Sequence, residues 1–469
     1  MSWLCLLALA SGLKADVTSS IDAIVRENYL KNVEVGVKIV RLGDTPAASV
    51  TVYDRHGDVP FTPASNLKLA TTSAALDTLG ADFQFRTLLV QKGTTLALVG
   101  DGDPTLGDAE LLKKVGWKST TLFEKWAEAL ATRGLTKATG VSYDDGIFDA
   151  EFQHKNWPAD QIHKRYVAGV SGLNFNANCL DFYLEPKGAG AVVGYRVDPP
   201  ISGIPINNTC VQGSKNAVWL SRARDSSDIE LKGQIPSANG EPISVTVNDP
   251  SNFAAMAFAE AFGRSGVAIE GPIVRDTTIR ASIKDWTLLA VHETPIEQVL
   301  TRANKDSMNV YAESLFKRTG AKVSGEPGSW KNGIVAVGKY LESIGVPASQ
   351  FSLDDGCGLS RKNNISPSAL VTILQHQYFG KNRDLFVRTL AVAGVDGTLE
   401  NRFDGTPLRE RVFAKSGFID GVSTLSGFAK GKNDQWYAFS ILFNGIPKQS
   451  NSIAKKLQER IVLAIDAGS

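Results

Sequence analysis

Ser65 and Lys68, in the run Ser65-Asn66-Leu67-Lys68, pair a hydroxyl nucleophile with a base. A serine hydroxyl is a poor nucleophile near neutral pH and needs a base within hydrogen-bond reach. Lysine can fill that role once burial or neighbouring positive charge favours its neutral amine. A three-residue spacing puts both side chains on one face of a helix. Alone the pair is a weak signal. The same spacing recurs at Ser11/Lys14, Ser314/Lys317 and Ser452/Lys455, and a helix-capping serine beside a solvated lysine explains any one of them.

Two further elements follow in order. Ser307-Met308-Asn309 opens an apolar-periodic stretch, and Lys415-Ser416-Gly417 lies in a strand-like segment before Phe418. S-x-N also recurs at Ser214/Asn216, so the support comes from order and context. Together the three elements match the S-x-x-K, S-x-N, K-[ST]-G series of serine acyl-transfer enzymes that react with penicillin. Ser307 can relay a proton between Lys68 and a leaving amine, and Asn309 can hold a substrate amide and Lys68. Lys415 supplies positive charge that keeps Lys68 neutral and draws a terminal carboxylate, helped by Ser416. Gly417 lets backbone approach closely. The backbone N–H groups of Ser65 and Phe418 are the expected oxyanion donors.

The elements that must position these residues fall into two textures. Residues 33–40 and 48–53 predict an antiparallel strand pair, and 63–76 a helix that stops at Gly80. Residues 86–284 predict a mainly β insertion of one or two small domains, with helical patches at 122–130 and 254–262. Helical periodicity returns over 296–318, 329–344 and 367–378, followed by a strand at 436–443 and a helix at 452–467. Residues 16–85 and 285–469 are thus expected to form one α/β (α+β) catalytic domain, an antiparallel sheet flanked by helices, interrupted by the insert.

Composition narrows the function. Lys and Arg number 50 against 49 Asp and Glu, for a net charge of +1, which gives no field to gather nucleic acid. The short apolar run from Met1 to Ser11, ending in small residues, fits a signal peptide over 1–15, although no basic residue precedes it, and predicts an exported, periplasmic or otherwise extracytoplasmic protein. No later stretch is long enough to span a bilayer, which leaves loose membrane association open. The five histidines and four cysteines show no metal-ligand spacing, so no metal or cofactor is expected. Cys179 and Cys210 are either a disulfide pair or buried thiols. Asp101-Gly102-Asp103 and Asp354-Asp355-Gly356 read as tight turns rather than a calcium loop or an acid pair. Arg361 suits a cleft wall or a salt bridge, and the scattered Trp126, Trp157, Trp286 and Trp330 suit core packing.

Beyond the three motifs, other stretches resemble one family. These are Leu98 to Leu106, Asp354 to Arg361 followed by Asn364-Ile365-Ser366-Pro367, and Gly421 to Gly427. With roughly 240 residues between Ser65 and Ser307, the chain resembles the D-alanyl-D-alanine carboxypeptidase/endopeptidase family, the class C low-molecular-mass penicillin-binding proteins of the penicillin-binding protein 4 type. The resemblance implies a serine β-lactamase/DD-peptidase-like transpeptidase fold. It also implies carboxypeptidase or endopeptidase action on peptidoglycan stem peptides through an acyl-enzyme on Ser65, and covalent inhibition by β-lactam antibiotics. A β-lactamase or esterase of the same fold, or a silent cell-wall binding protein, are the alternatives. Two positions depart from the family pattern: Cys357 stands where serine is usual, and Phe418 where a small hydroxyl residue is usual.

Overall fold

A computed structural model describes residues 17–467. The proposed signal peptide lies outside the described residues. The described residues divide into two compact units, one of 17–81, 300–324 and 330–467, the other of 82–299 and 325–329.

The first unit is built on a six-stranded antiparallel sheet. Its strands are β1 (Glu34–Arg41), β2 (Val50–Arg55), β3 (Ala391–Val392), β4 (Val412–Ile419), β5 (Val422–Lys430) and β6 (Trp436–Asn444), in the order β3-β4-β5-β6-β1-β2. The expected β1–β2 hairpin is present, pairing Val37 with Arg55. Helices are α1 (Lys68–Leu79), α2 (Ile296–Asn304), α3 (Asn309–Ser324), α4 (Trp330–Ser343), α5 (Pro367–Phe379), α6 (Arg383–Thr389) and α7 (Asn451–Ala467). Sheet residues such as Val37, Ile39, Leu425, Phe439 and Ile441 form one core with Ala454, Leu457 and Ile461 of α7. At about 25 cal/mol per Å² of apolar surface removed from water, this burial dominates the unit's stability.

Periodicity over 296–318 suggests one continuous helix, but the structure breaks it between α2 and α3. Ser307 sits in the break with φ +59°, a left-handed conformation that a helix ladder cannot absorb. The break frees the Ser307 hydroxyl from a helical surface and lets it face β4.

The second unit extends beyond 86–284 at both ends. Gln84–Lys92 and Thr287–Pro295 pair antiparallel with each other, so neither strand can be left to the other unit. They border a five-stranded sheet that also contains parallel pairings, Thr95 with Gly140 and Ile273 with Val141. The unit also holds a three-stranded, a four-stranded and a short two-stranded sheet, with helices at Thr121–Thr132 and Pro250–Arg264. One aromatic-rich core, including Phe123, Phe175, Phe182, Phe253, Phe258 and Phe262, runs through them. Asp103 is a turn anchor, as expected: it accepts bonds from Thr105 N and Oγ1, both 2.8 Å, and from Thr294 Oγ1, 2.7 Å. Cys179 and Cys210 are separate buried thiols and not a disulfide. Burial pushes the Cys179 thiol up to about 12, so it stays protonated.

Candidate active site

Ser65, the candidate nucleophile, stands on a tight turn. Ala64–Leu67 forms a 3₁₀ turn that runs directly into α1, which starts at Lys68. Ala64 has φ +45°, a sparsely populated conformation for a residue with a Cβ. Two neighbours hold it there. Gly358, at φ +84°, packs so closely that a Cβ on it would lie 1.8 Å from the Ala64 carbonyl oxygen. Thr424 Oγ1 donates to the Pro63 carbonyl at 2.9 Å. Ser65 itself remains partly exposed.

Lys68 is wholly buried, and its Nζ donates to Ser65 Oγ at 3.0 Å, Asn309 Oδ1 at 2.7 Å and the Cys357 carbonyl at 2.9 Å. Burial holds its pKa below the usual lysine range, opposed by the nearby Cys357, Asp355 and Glu313. The first two motifs therefore meet at one amine, and a third partner comes from the stretch around Cys357.

That stretch is fixed by two buried carboxylates. Glu313, four residues beyond Asn309 on α3, accepts from Cys357 N at 2.7 Å, Gly356 N at 3.0 Å and Trp330 Nε1 at 2.8 Å. Asp355 accepts from Gly358 N, Ser360 N and Asn363 Nδ2 at 2.7–2.8 Å. Thr71 of α1 donates to the Gly356 carbonyl at 2.6 Å. Burial, then the charge of Asp355, pushes the Glu313 carboxyl up to about 7. Glu313, Asp355 and the Cys357 thiol are close together. Both carboxylates already accept several N–H donors, and burial pushes the thiol up, so the cluster is a loop anchor. Asp354-Asp355-Gly356 is thus the turn beside the site that the sequence suggests, with Asp355 as its inner support.

The third motif lies on β4. Lys415 is also wholly buried, and its Nζ donates to Ser307 Oγ and the Ser416 carbonyl, both 2.8 Å. Burial, then Lys68, holds its pKa well below the usual value. Two expectations change here. Ser307 is bonded to Lys415 and not Lys68, and Lys415 presents no exposed charge to a carboxylate. The partly exposed polar group next to it is Ser416, whose Oγ donates to Thr398 Oγ1 at 2.8 Å.

Gly417 allows the close approach expected of it, since a Cβ there would lie 2.2 Å from Thr424 Oγ1 and 2.9 Å from Ser65 N. Short β3 pairs with β4 only at Phe413 and Ala414, and among the described residues no strand pairs the same edge from Lys415 to Ile419. Ala393 N donates to the Val412 carbonyl. In an antiparallel pair both main-chain groups of a residue point to the same side and alternate along the strand. The main-chain groups of Ser416 and Phe418 therefore face the open edge. The Phe418 side chain is 54% exposed.

Four contributors were not singled out from sequence: Asn66, Glu313, Asp355 as an anchor, and Thr398. Asn66 is buried, and in its satisfied amide orientation donates to the Lys415 carbonyl at 2.8 Å while accepting from Ser426 N at 3.1 Å, tying the nucleophile turn to β4 and β5. Glu313 carries a readable signal, a charge on the apolar face of a helix between Val310 and Phe316. Thr398 carries none. Arg361 is exposed and donates to the Asp420 carbonyl rather than forming an acidic pair.

Comparisons with known proteins bear on the family and the fold. Residues 17–467 match the family model described as D-Ala-D-Ala carboxypeptidase 3 (S13). A D-alanyl-D-alanine carboxypeptidase of Actinomadura sp. (strain R39) is 31% identical over 466 residues, covering 94% of this chain and 83% of that protein. The D-alanyl-D-alanine carboxypeptidase DacB of Haemophilus influenzae is 27% identical, covering 84% and 82%. The crystal structure of penicillin-binding protein 4 from H. influenzae superposes with a TM-score of 0.78 at 23% identity, covering 96% of this chain and 99% of that one, so the two share a fold. A carboxypeptidase is thus favoured over a β-lactamase, an esterase or a silent binding protein. With the family model spanning the described chain and a curated carboxypeptidase 31% identical to it, this protein belongs to the D-Ala-D-Ala carboxypeptidase (S13) family of penicillin-binding hydrolases.

Proposed function

We propose that this D-Ala-D-Ala carboxypeptidase cleaves peptidoglycan stem peptides through an acyl-enzyme on Ser65. The observation that carries the reading is the contact of Lys68 Nζ with both Ser65 Oγ and Asn309 Oδ1 in a fully buried setting. With Lys68 neutral, its two N–H groups stay on Asn309 Oδ1 and the Cys357 carbonyl and its lone pair faces Ser65 Oγ, so Oγ attacks the carbonyl carbon of the penultimate D-alanine as its proton passes to Lys68. The oxyanion is held by the main-chain N–H groups of Ser65 and Phe418. As the C–N bond breaks, the Ser307 hydroxyl gives its proton to the leaving nitrogen and is resupplied from the lysine pair. Asn309 holds the substrate amide, and the open edge of β4 at Ser416 and Phe418 aligns the peptide backbone. Water then attacks the ester, with Lys68 again as base, and restores Ser65.

The same attack on a strained lactam leaves a covalent penicilloyl group, so β-lactams are expected to inhibit. The related H. influenzae structure has been solved in complex with a novel β-lactam. Peptidoglycan lies outside the cytoplasm, and the apolar N-terminal run supports export there. Among the described residues, no helix is long and apolar enough to cross a membrane.

The test is incubation with a labelled penicillin and mass mapping of the adduct, beside a Ser65→Ala control. A stable adduct on Ser65, absent in the control, is the expected result. A folded protein that takes label elsewhere, or none, refutes the assignment.

A further inference from the structure

Resting on that reading, the geometry points to Thr398 as a specificity-determining residue, whose hydroxyl donates to the free terminal carboxylate of the leaving D-alanine. A carboxylate in the cleft is an acceptor and needs donors. Lys415 is 0% exposed and its amine is already engaged by Ser307 and the Ser416 carbonyl. Ser416 reaches the cleft, but its hydroxyl proton points to Thr398 Oγ1. Phe418, on the same face of β4 two residues on, has no side-chain donor. Lys415 Nζ ends on the Ser416 carbonyl, and the Ser416 hydroxyl donates separately to Thr398 Oγ1, so Thr398 Oγ1 is an acceptor there and its own proton is left to turn to the cleft; Thr398 is partly exposed.

Thr398 is also rigidly placed. Its N–H donates to the Lys305 carbonyl at 2.9 Å. The Lys305 ammonium is paired with Asp396, and Asp396 accepts from Val392 N at 2.8 Å. Lys305 is two residues ahead of Ser307. One short segment, 392–399, therefore fixes the hydroxyl relative to both the Ser307 break and the β4 edge. A hydroxyl held this way needs no reorganisation to meet an anion, which raises its value for discrimination.

The test compares two peptides ending in D-Ala-D-Ala, one with a free carboxylate and one with a C-terminal amide, on wild type, Thr398→Val and Thr398→Ser. Valine keeps the shape and removes the donor, and serine keeps the donor. The expected result is a fall of about 10- to 100-fold in kcat/KM for the acid in T398V, little change for the amide, and recovery of the acid preference in T398S. An acid-to-amide ratio unchanged in T398V overturns the inference, whether both rates hold or both fall together. If wild type cleaves neither peptide, the hydrolase reading fails and this inference falls with it.

Discussion

The two sides of the cleft are built differently. The floor, comprising Ser65, Lys68, Asn309 and the stretch around Cys357, is closed: Lys68, Glu313 and Asp355 are each 0% exposed, Lys68 makes three hydrogen bonds, and each carboxylate accepts from three N–H donors. The wall, comprising Ser416, Phe418 and Thr398 over buried Lys415, is partly exposed, with an unpaired strand edge. Buried polar groups are costly unless fully paired, so the floor admits few alternatives. Exposed groups on a rigid edge change contacts without unfolding anything. On the proposed mechanism the floor sets the reaction, and the wall sets which peptide is accepted.

The largest effect should come from the floor. In Lys68→Met the base is gone, although an unbranched apolar chain still fills its space. Acylation by penicillin should slow by about 10²- to 10⁴-fold, the range for loss of a general base. Stopped-flow acylation checks this. A loss under tenfold would mean that Lys68 is not the base and that the contrast between floor and wall is misdrawn.

The parts of the site that sequence exposes and the parts it hides follow the same division. Ser65, Lys68, Ser307, Asn309 and Lys415 are legible because each motif keeps its partners within three residues and the motifs come in order. The outer helices and the β1–β2 hairpin are legible from periodicity. The break at Ser307 is hidden, because apolar spacing runs across it and only a positive φ marks it. Thr398 is hidden because its partner Ser416 lies on a strand 18 residues later, and a lone threonine in a short turn carries no pattern. The second unit's extent is hidden as well, since its closing strand, Thr287–Pro295, finds its partner about 200 residues earlier, at Gln84–Lys92.

Glu313 gives an intermediate effect. Folded, its carboxyl is pushed up to about 7 from an ordinary 4.5, so between those values the folded state binds more protons than the unfolded. Its contribution to stability is fully present below pH 4.5 and is lost as pH rises through about 7, a change on the order of 3 kcal/mol. Glu313→Gln removes the ionisation while turning an amide nitrogen toward N–H groups that need an acceptor. Urea unfolding of wild type and E313Q at pH 5 and pH 8 should show the gap between them narrowing, or reversing, at the higher pH. Acylation by E313Q should slow about tenfold, as expected from one lost charge-assisted bond in the chain from Glu313 through the Cys357 peptide to Lys68. Parallel stability curves would show that Glu313 is not titrating in the folded protein, and an unchanged acylation rate would show that the loop holds Lys68 without it.

Phe418 gives the smallest effect on the fold and tests the wall most directly. Its ring is 54% exposed, and substitutions at such positions shift stability by about 0.5 kcal/mol or less. The proposed oxyanion donor is its main-chain N–H, which Phe418→Ala retains. The expected result is an unchanged melting temperature and near-normal kcat, with KM for the peptide raised several-fold as apolar contact along the open edge is lost. A matching fall in kcat would place the ring against the reacting carbonyl, moving Phe418 from the wall to the floor. An unchanged KM would leave peptide selection to the main chain of β4 and the two hydroxyls beside it.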